Sequence, residues 1–154
     1  MKLYRISRCE FINDLSGAGA VLYPGRWHSK GSRVLYTASS ASLAMLESLA
    51  HITSVTRLLA CMICLDIPDS APIMELTLDD LPNDWHINPP PDILKKYGDE
   101  LIVENKFLAL KVPSAILFEE NNFILNTTNK DFHKIKVIYS RVLAIDERLL
   151  NFGR

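Results

Sequence analysis

Glu47 is the first side chain here whose type and place demand an explanation. Ser39–His51 carries leucines at 43, 46 and 49 followed by Ala50, the spacing of one helical face. On the helical wheel Glu47 falls between Leu43 and Ala44, inside or at the rim of that stripe. A carboxylate there needs a cation, hydrogen-bond donors or a ligand, because desolvating it alone is costly. It reads either as half of a structural ion pair or as a member of a site. A guanidinium stands earlier in the chain, in Gly25-Arg26-Trp27-His28, with Lys30 and Arg33 close by. Arg grips phosphate through two parallel hydrogen bonds, and flanking glycines let backbone amides approach an anion. The other reading is a surface Arg stacked on Trp27.

Weaker patterns are set aside on physical grounds. Gly17-Ala18-Gly19-Ala20 lacks the spacing of a dinucleotide fingerprint or a P-loop. Cys61 and Cys64 lie three apart in an apolar run, where strand geometry points them to opposite faces. No second Cys or Cys/His pair follows to complete a zinc site, so they read as core. His28, His51, His86 and His133 are scattered without metal-ligand spacing, and no metal is expected. His51, four residues beyond Glu47, either meets it across one helical turn or satisfies carbonyls at the helix end.

The elements that must position these groups can be read coarsely. Lys2–Ser7 alternates and predicts a strand. Residues 13–33 hold four of the six glycines and predict a long loop, a length that in a compact domain is often functional. Val34–Thr37 predicts a strand, Ser39–His51 a helix capped by Ser39 or Ser40, and Arg57–Ile67 a buried strand ended by Pro68. Pro82 and Pro89–Pro91 forbid regular structure throughout the next connection. Asp99 predicts a cap for a helix over Glu100–Leu110. Ala115–Phe118, Phe123–Leu125 and Lys136–Ile145 predict strands, with a turn at Glu119–Asn122. The fold class expected is α+β, one mixed domain with a strand-rich core spanning residues 1–154.

Composition narrows the partners. A chain of 154 residues buries roughly 70% of its unfolded surface, enough for a real core. Net charge is −1, from 17 basic and 18 acidic residues, without the basic excess that long nucleic acid calls for. A small anion needs only two or three placed cations. Lys2, Arg5, Arg8 and Glu10 interrupt any leader-like apolar run, and the longest apolar run, Leu58–Leu65, is far short of a membrane span. A cytoplasmic protein is expected, without membrane contact. Three cysteines, an odd number, fit a reducing compartment better than a disulfide framework.

Taken in order, the motifs resemble the RES domain, a bacterial toxin family named for an Arg, a Glu and a Ser. The matching pieces are Tyr4-Arg5-Ile6, L-S-G-x-G-A at Leu15–Ala20, G-R-W-x-x-x-G at Gly25–Gly31 and V-L-Y-T-A at Val34–Ala38. They continue with S-L-A-M-L-E at Ser42–Glu47, V-P-S-A at Val112–Ala115, the pair Asn122 and Asn126, and I-D-x-R-L at Ile145–Leu149. The resemblance maps the naming residues onto Arg26, Glu47 and Ser114, with Tyr36 as a fourth site member. It departs at His28, where the family usually has Asn, at Gly98–Leu101, which lacks a Trp, and at Asn126–Asp131.

The resemblance implies a fold similar to ADP-ribosyltransferases and a cleft for NAD⁺ as substrate. It implies an enzyme, an NAD⁺ phosphorylase or glycohydrolase that transfers the glycosyl group to inorganic phosphate or water, depletes NAD⁺ and arrests growth. In this scheme Glu47 faces the developing ribose charge, Arg26 grips pyrophosphate with Arg5 as second clamp, and His28 lies close enough to tune affinity. Tyr36 stacks on nicotinamide, and Ser114 bonds its carboxamide or positions the phosphate. The expected partner is an Xre-type helix-turn-helix antitoxin, with room for a toxin homodimer in the complex. Two alternatives stay open: a mono-ADP-ribosyltransferase acting on a cellular protein, and a non-catalytic interaction module.

Overall fold

Alternating side chains on the central strands serve two cores, one on each face of a single sheet. The computed structural model describes residues 1–51 and 60–150. In chain order these form β1 (Lys2–Arg8), α1 (Ala18–Leu22), β2 (Val34–Ala38), α2 (Ala41–His51), β3 (Ala60–Asp66), β4 (Ile73–Glu75), α3 (Lys95–Glu104), β5 (Ala109–Pro113), β6 (Asn121–Asn126) and β7 (Lys136–Val142). The strands make one seven-stranded sheet in the order β4-β5-β6-β2-β1-β3-β7. Every neighbouring pair is antiparallel except β4 with β5. This is the α+β class the sequence predicts.

On one face Leu3, Leu35, Ile63, Leu65, Ala109, Phe123 and Leu125 pack together. On the other, Val34, Leu110, Val112 and Ile124 meet Trp27, Trp85, Leu94 and Leu101. Neighbours such as Val34 and Leu35, or Ile124 and Leu125, thus serve opposite cores, as the period of two requires. A third small cluster docks α2 through Leu43 and Ala44 onto Ala38, Tyr4 and Ile6. Leu46 is exposed and Ala50 also faces out, so the predicted stripe of Leu43, Leu46, Leu49 and Ala50 is rotated: the sheet-facing side is Leu43, Ala44 and Glu47.

Several boundaries differ from expectation. The helix predicted over Glu100–Leu110 begins earlier and ends where Asn105 takes a left-handed conformation (φ 50°), bonding back to Leu101. Asp99 therefore sits inside α3 rather than capping it. Residues from Ala109 are a strand because that register buries Ala109 and Leu110 on opposite faces. Ala115–Phe118 is not a strand: Ser114 Oγ accepts from the amides of Ile116 and Leu117 and turns the chain. The predicted loop over 13–33 contains the short helix α1, β4 was not foreseen, and β7 stops at Val142. Of the strand predicted over Arg57–Ile67, Ala60–Asp66 is observed, and positions 57–59 lie outside the described residues.

The cysteines also correct the sequence reading. Cys9 and Cys61 are joined in a disulfide, and Cys64 is free and buried. The β1–β3 register sets Cys61 opposite Ser7, so the 3-10 turn after Arg8 returns Cys9 to it. Odd-number arithmetic could not see a pairing set by strand register.

Two features of this frame shape the cleft described next. First, β1 and β2 meet at one register pair, Tyr4 with Ala38, and then part. Second, α3 presses against the Gly25–His28 segment through Gly98, where an added Cβ would stand 2.0 Å from the Trp27 carbonyl oxygen. Gly98→Ala is therefore expected to cost about 2–3 kcal/mol through overpacking, lowering the thermal midpoint by roughly 5–10 °C. An unchanged midpoint in a melting experiment would mean the contact gives way freely.

Candidate active site

The parting of β1 from β2 opens a cavity of about 340 Å³ walled by Arg5, Ile6, Tyr36, Thr37, Glu47 and His51. A larger cleft of about 1300 Å³ shares Arg5, Tyr36, Glu47, His51 and Asn122 and runs past Arg26 toward His86 and Pro89. On this shared wall Glu47 is held by two donors that meet one oxygen. Ser114 Oγ donates to Oε1 at 2.8 Å, and Asn122 Nδ2 donates to the same atom at 2.5 Å. Among the described residues no donor meets Oε2.

Arg26 lines the larger cleft together with Glu47. Its Nη1 donates to the carbonyls of Trp85 at 2.6 Å and Ile87 at 3.0 Å, which pins the guanidinium to the proline-rich connection. Burial pulls the group below its ordinary pKa, while the charge of Glu47 acts the other way. Among the described residues no ion pair joins Arg26 to Glu47, although the guanidinium feels the carboxylate's field. Arg5 Nη1 donates to the carbonyls of Phe11 and Ile12, and burial lowers its pKa as well. Trp27 is not a stacking surface for Arg26: it is buried beside Trp85 and Tyr97.

Tyr36 presents its ring to both cavities and spends its hydroxyl behind them. Oη accepts from the Trp27 amide at 3.2 Å and lies 2.9 Å from His28 Nδ1. Burial pushes this hydroxyl far above its ordinary pKa, so it keeps its proton. His28 is 2% exposed, with Nε2 facing the carbonyls of Tyr23 and Ala20. Asp99, from α3, accepts from the Ser29 amide and Ser32 Oγ and so holds the next stretch of loop.

Residues 2–149 match the RES domain. The chain belongs to the RES family. Among similar proteins, "Toxin Res" of Photorhabdus laumondii is 40% identical over 97% of both chains. The "Prs ADP-ribosylating toxin" of a Sphingobium species is 33% identical over 90% of this chain and 88% of its own. In fold, this RES chain resembles a chain of the Mycobacterium tuberculosis MbcT–MbcA toxin–antitoxin complex, with a TM-score of 0.77 at 19% identity over 93% of this chain and 84% of that one.

Of the residues predicted for a RES site, the structure gathers Arg5, Arg26, His28, Tyr36 and Glu47 along one cleft. Ser114 lies behind that wall, 0% exposed, with its proton given to Glu47. In this structure its hydroxyl is committed to Glu47 and to the amides of Ile116 and Leu117. Asn122 was recognised only as part of a motif. Its signal was a polar residue on the Ile124 side of an apolar strand, a position whose neighbour becomes visible only once α2 is docked. The carbonyl anchors at Trp85 and Ile87 leave no sequence signal, since any residue type supplies a carbonyl. Among the described residues no three His, Cys, Asp or Glu side chains gather as a metal site.

Asp99 gives this site a pH signature. Burial alone would raise its carboxyl, but the hydrogen bonds from Ser29 and Ser32 outweigh it and hold the pKa below the ordinary 3.8. A depressed folded-state pKa means that the stabilisation is complete above the unfolded value and fades as pH falls toward the folded one. Asp99→Asn should therefore be less stable than the parent by about 1 kcal/mol at pH 7, a gap that narrows below about pH 4. Denaturant melts across pH 3–7 test this, and a constant gap would remove the charge as the cause.

Proposed function

We propose that this chain, as a single RES domain over residues 1–154, is the toxin of a toxin–antitoxin pair. It cleaves the nicotinamide–ribose bond of NAD⁺ in the cytoplasm. The observation that carries the reading is one cleft, large enough for a dinucleotide, with Glu47 and Arg26 on its walls and no ion pair between them. Drug-sized ligands occupy pockets of about 300–1,000 Å³, and this one is larger. The relatives named as toxins, and the one named as ADP-ribosylating, support the same assignment.

The chemistry follows from charge. As the bond between ribose C1′ and the nicotinamide nitrogen breaks, its electron pair leaves with neutral nicotinamide and positive charge gathers on the ribose. A carboxylate already fixed beside that ring stabilises the charge without reorganising. Glu47 fills this role with the oxygen that Ser114 and Asn122 leave available, and Ser114 acts by fixing the carboxylate. Arg26 grips the pyrophosphate with Arg5 beside it, and the Tyr36 ring packs on nicotinamide. An oxygen of inorganic phosphate or water then bonds to C1′, water releasing its proton.

A second reading is transfer of ADP-ribose to a cellular protein, favoured by the name of the Sphingobium relative, an ADP-ribosylating toxin. It uses the same cleft and differs only in the acceptor. The partner proposed is an Xre-type helix-turn-helix antitoxin. Phe11, Leu22, Tyr23 and Ile116 are exposed apolar residues on the cleft wall and suit a protein surface.

Purified protein incubated with NAD⁺, with and without phosphate, tests the reading. Glu47→Ala should lower turnover by about 10²–10³ with the fold intact, and Arg26→Ala should raise KM. ADP-ribose 1″-phosphate as product identifies a phosphorylase, ADP-ribose a glycohydrolase, and label on a protein band in lysate a transferase. Nicotinamide released at the parent rate by Glu47→Ala would remove Glu47 from the chemistry.

A further inference from the structure

His28 lines the cleft, yet both of its ring nitrogens are committed to the protein. Nε2 faces the carbonyls of Tyr23 at 3.1 Å and Ala20 at 3.3 Å, which assigns a proton to that nitrogen. In the neutral ring Nδ1 then accepts from the Tyr36 hydroxyl at 2.9 Å. That hydroxyl in turn accepts from the Trp27 amide. The imidazole therefore ties the end of α1 to β2 and closes the loop bearing Arg26 on both flanks. The Gly25 amide also donates to the His28 carbonyl at 3.1 Å, so Arg26 sits in a tight turn between the two. The turn has no slack: a Cβ at Gly25 would stand 2.6 Å from Tyr36 Oη and 2.8 Å from His28 Cε1.

We propose that His28 is a positioning residue for Arg26, acting through Tyr36 and the end of α1, and that it sets affinity for the anionic part of the ligand rather than the bond-breaking step. The proposal rests on the function inferred above for the ligand's chemistry, but the clamp itself is a property of the free protein. A ligand-binding His would keep one nitrogen toward the cavity. This one keeps neither. Its removal frees the rim formed by Leu22 and Tyr23 and lets the backbone at Arg26 drift from the anchors at Trp85 and Ile87. Loss of a buried hydrogen-bonded link of this kind corresponds to a change on the order of tenfold.

The test uses the full chain carrying His28→Leu, His28→Gln, Tyr36→Phe, or His28→Leu with Tyr36→Phe. In His28→Leu, amide hydrogen exchange at Gly25 and Trp27 should speed by about tenfold, and KM for NAD⁺ should rise by about tenfold with kcat within about twofold. His28→Gln, whose amide can reach the Tyr23 carbonyl, should recover most of both. The double variant should be no worse than the worse single, because each change breaks the same clamp. Exchange rates unchanged in His28→Leu, a fall in kcat at constant KM, or losses that multiply in the double variant would each overturn the proposal. If His28→Leu does not fold, Tyr36→Phe carries the exchange measurement alone, since it leaves the imidazole in place. If the parent turns over no NAD⁺, the function proposed above fails while the exchange arm still decides the clamp.

Discussion

Two donors converging on one oxygen of Glu47 hold the cleft's negative wall in place. Ser114 directly follows β5 and Asn122 is the second residue of β6, and the register of that pair brings both to the side on which α2 lies. The carboxylate is therefore also a staple between α2 and the β5–β6 turn. A second staple reinforces it at the helix start. Ser40 Oγ accepts from the Leu43 amide as a cap and donates to Glu120 at 2.6 Å, while the Ser39 amide reaches the Asn121 carbonyl. A helix with only two buried apolar residues gains much of its fixed position from these polar ties. The side chain proposed for the chemistry and the side chain that secures the helix are the same group.

The part of the cleft around Arg26 is built differently, from backbone. Arg26 is anchored by carbonyls, its loop by amides, and α3 approaches so closely at Gly98 that only hydrogen fits. Asp99, one residue on, reaches across to Ser29 and Ser32. Glycine at 98 and aspartate at 99 thus perform complementary tasks, contact and tether, for one loop. Between the two walls lies the gap left where β1 and β2 stop pairing. Unbroken pairing of β1 with β2 would have filled it.

What was legible beforehand follows from locality. The class, the strands over Lys2–Ser7, Val34–Thr37 and Phe123–Leu125, and the α2 helix depend on short-range periodicity and were read correctly. Glu47 was legible because a charge inside an apolar stripe is a local contradiction. What escaped depends on distant partners. The Cys9–Cys61 bond is set by strand register, Asn122 matters only once α2 is docked, and Ser114 is a contact to Glu47 across 67 residues. The misplaced helix over Glu100–Leu110 shows the same limit. Its apolar residues fit a helical period, but the left-handed Asn105 and the burial of Ala109 and Leu110 on opposite sheet faces overrode it.

A direct ion pair between Arg26 and Glu47 would be the simplest way to satisfy both charges, and the fold prevents it. Carbonyls hold the guanidinium through Nη1 on one wall, and Ser114 with Asn122 hold the carboxylate on the other. Keeping opposite charges apart in a partly buried cleft costs stability that pairing would recover, a common mark of a site organised for a ligand. Under the function proposed above, the separated pair would also select the ligand's polarity. It favours a molecule carrying negative charge at one end and developing positive charge at the other, in that order along the cleft. A dinucleotide with a pyrophosphate near Arg26 and a ribose becoming cationic near Glu47 has this polarity. Under the proposed function, anions lacking the second feature would meet Arg26 but be repelled by Glu47, so the carboxylate would screen ligands as well as serve the bond-breaking step.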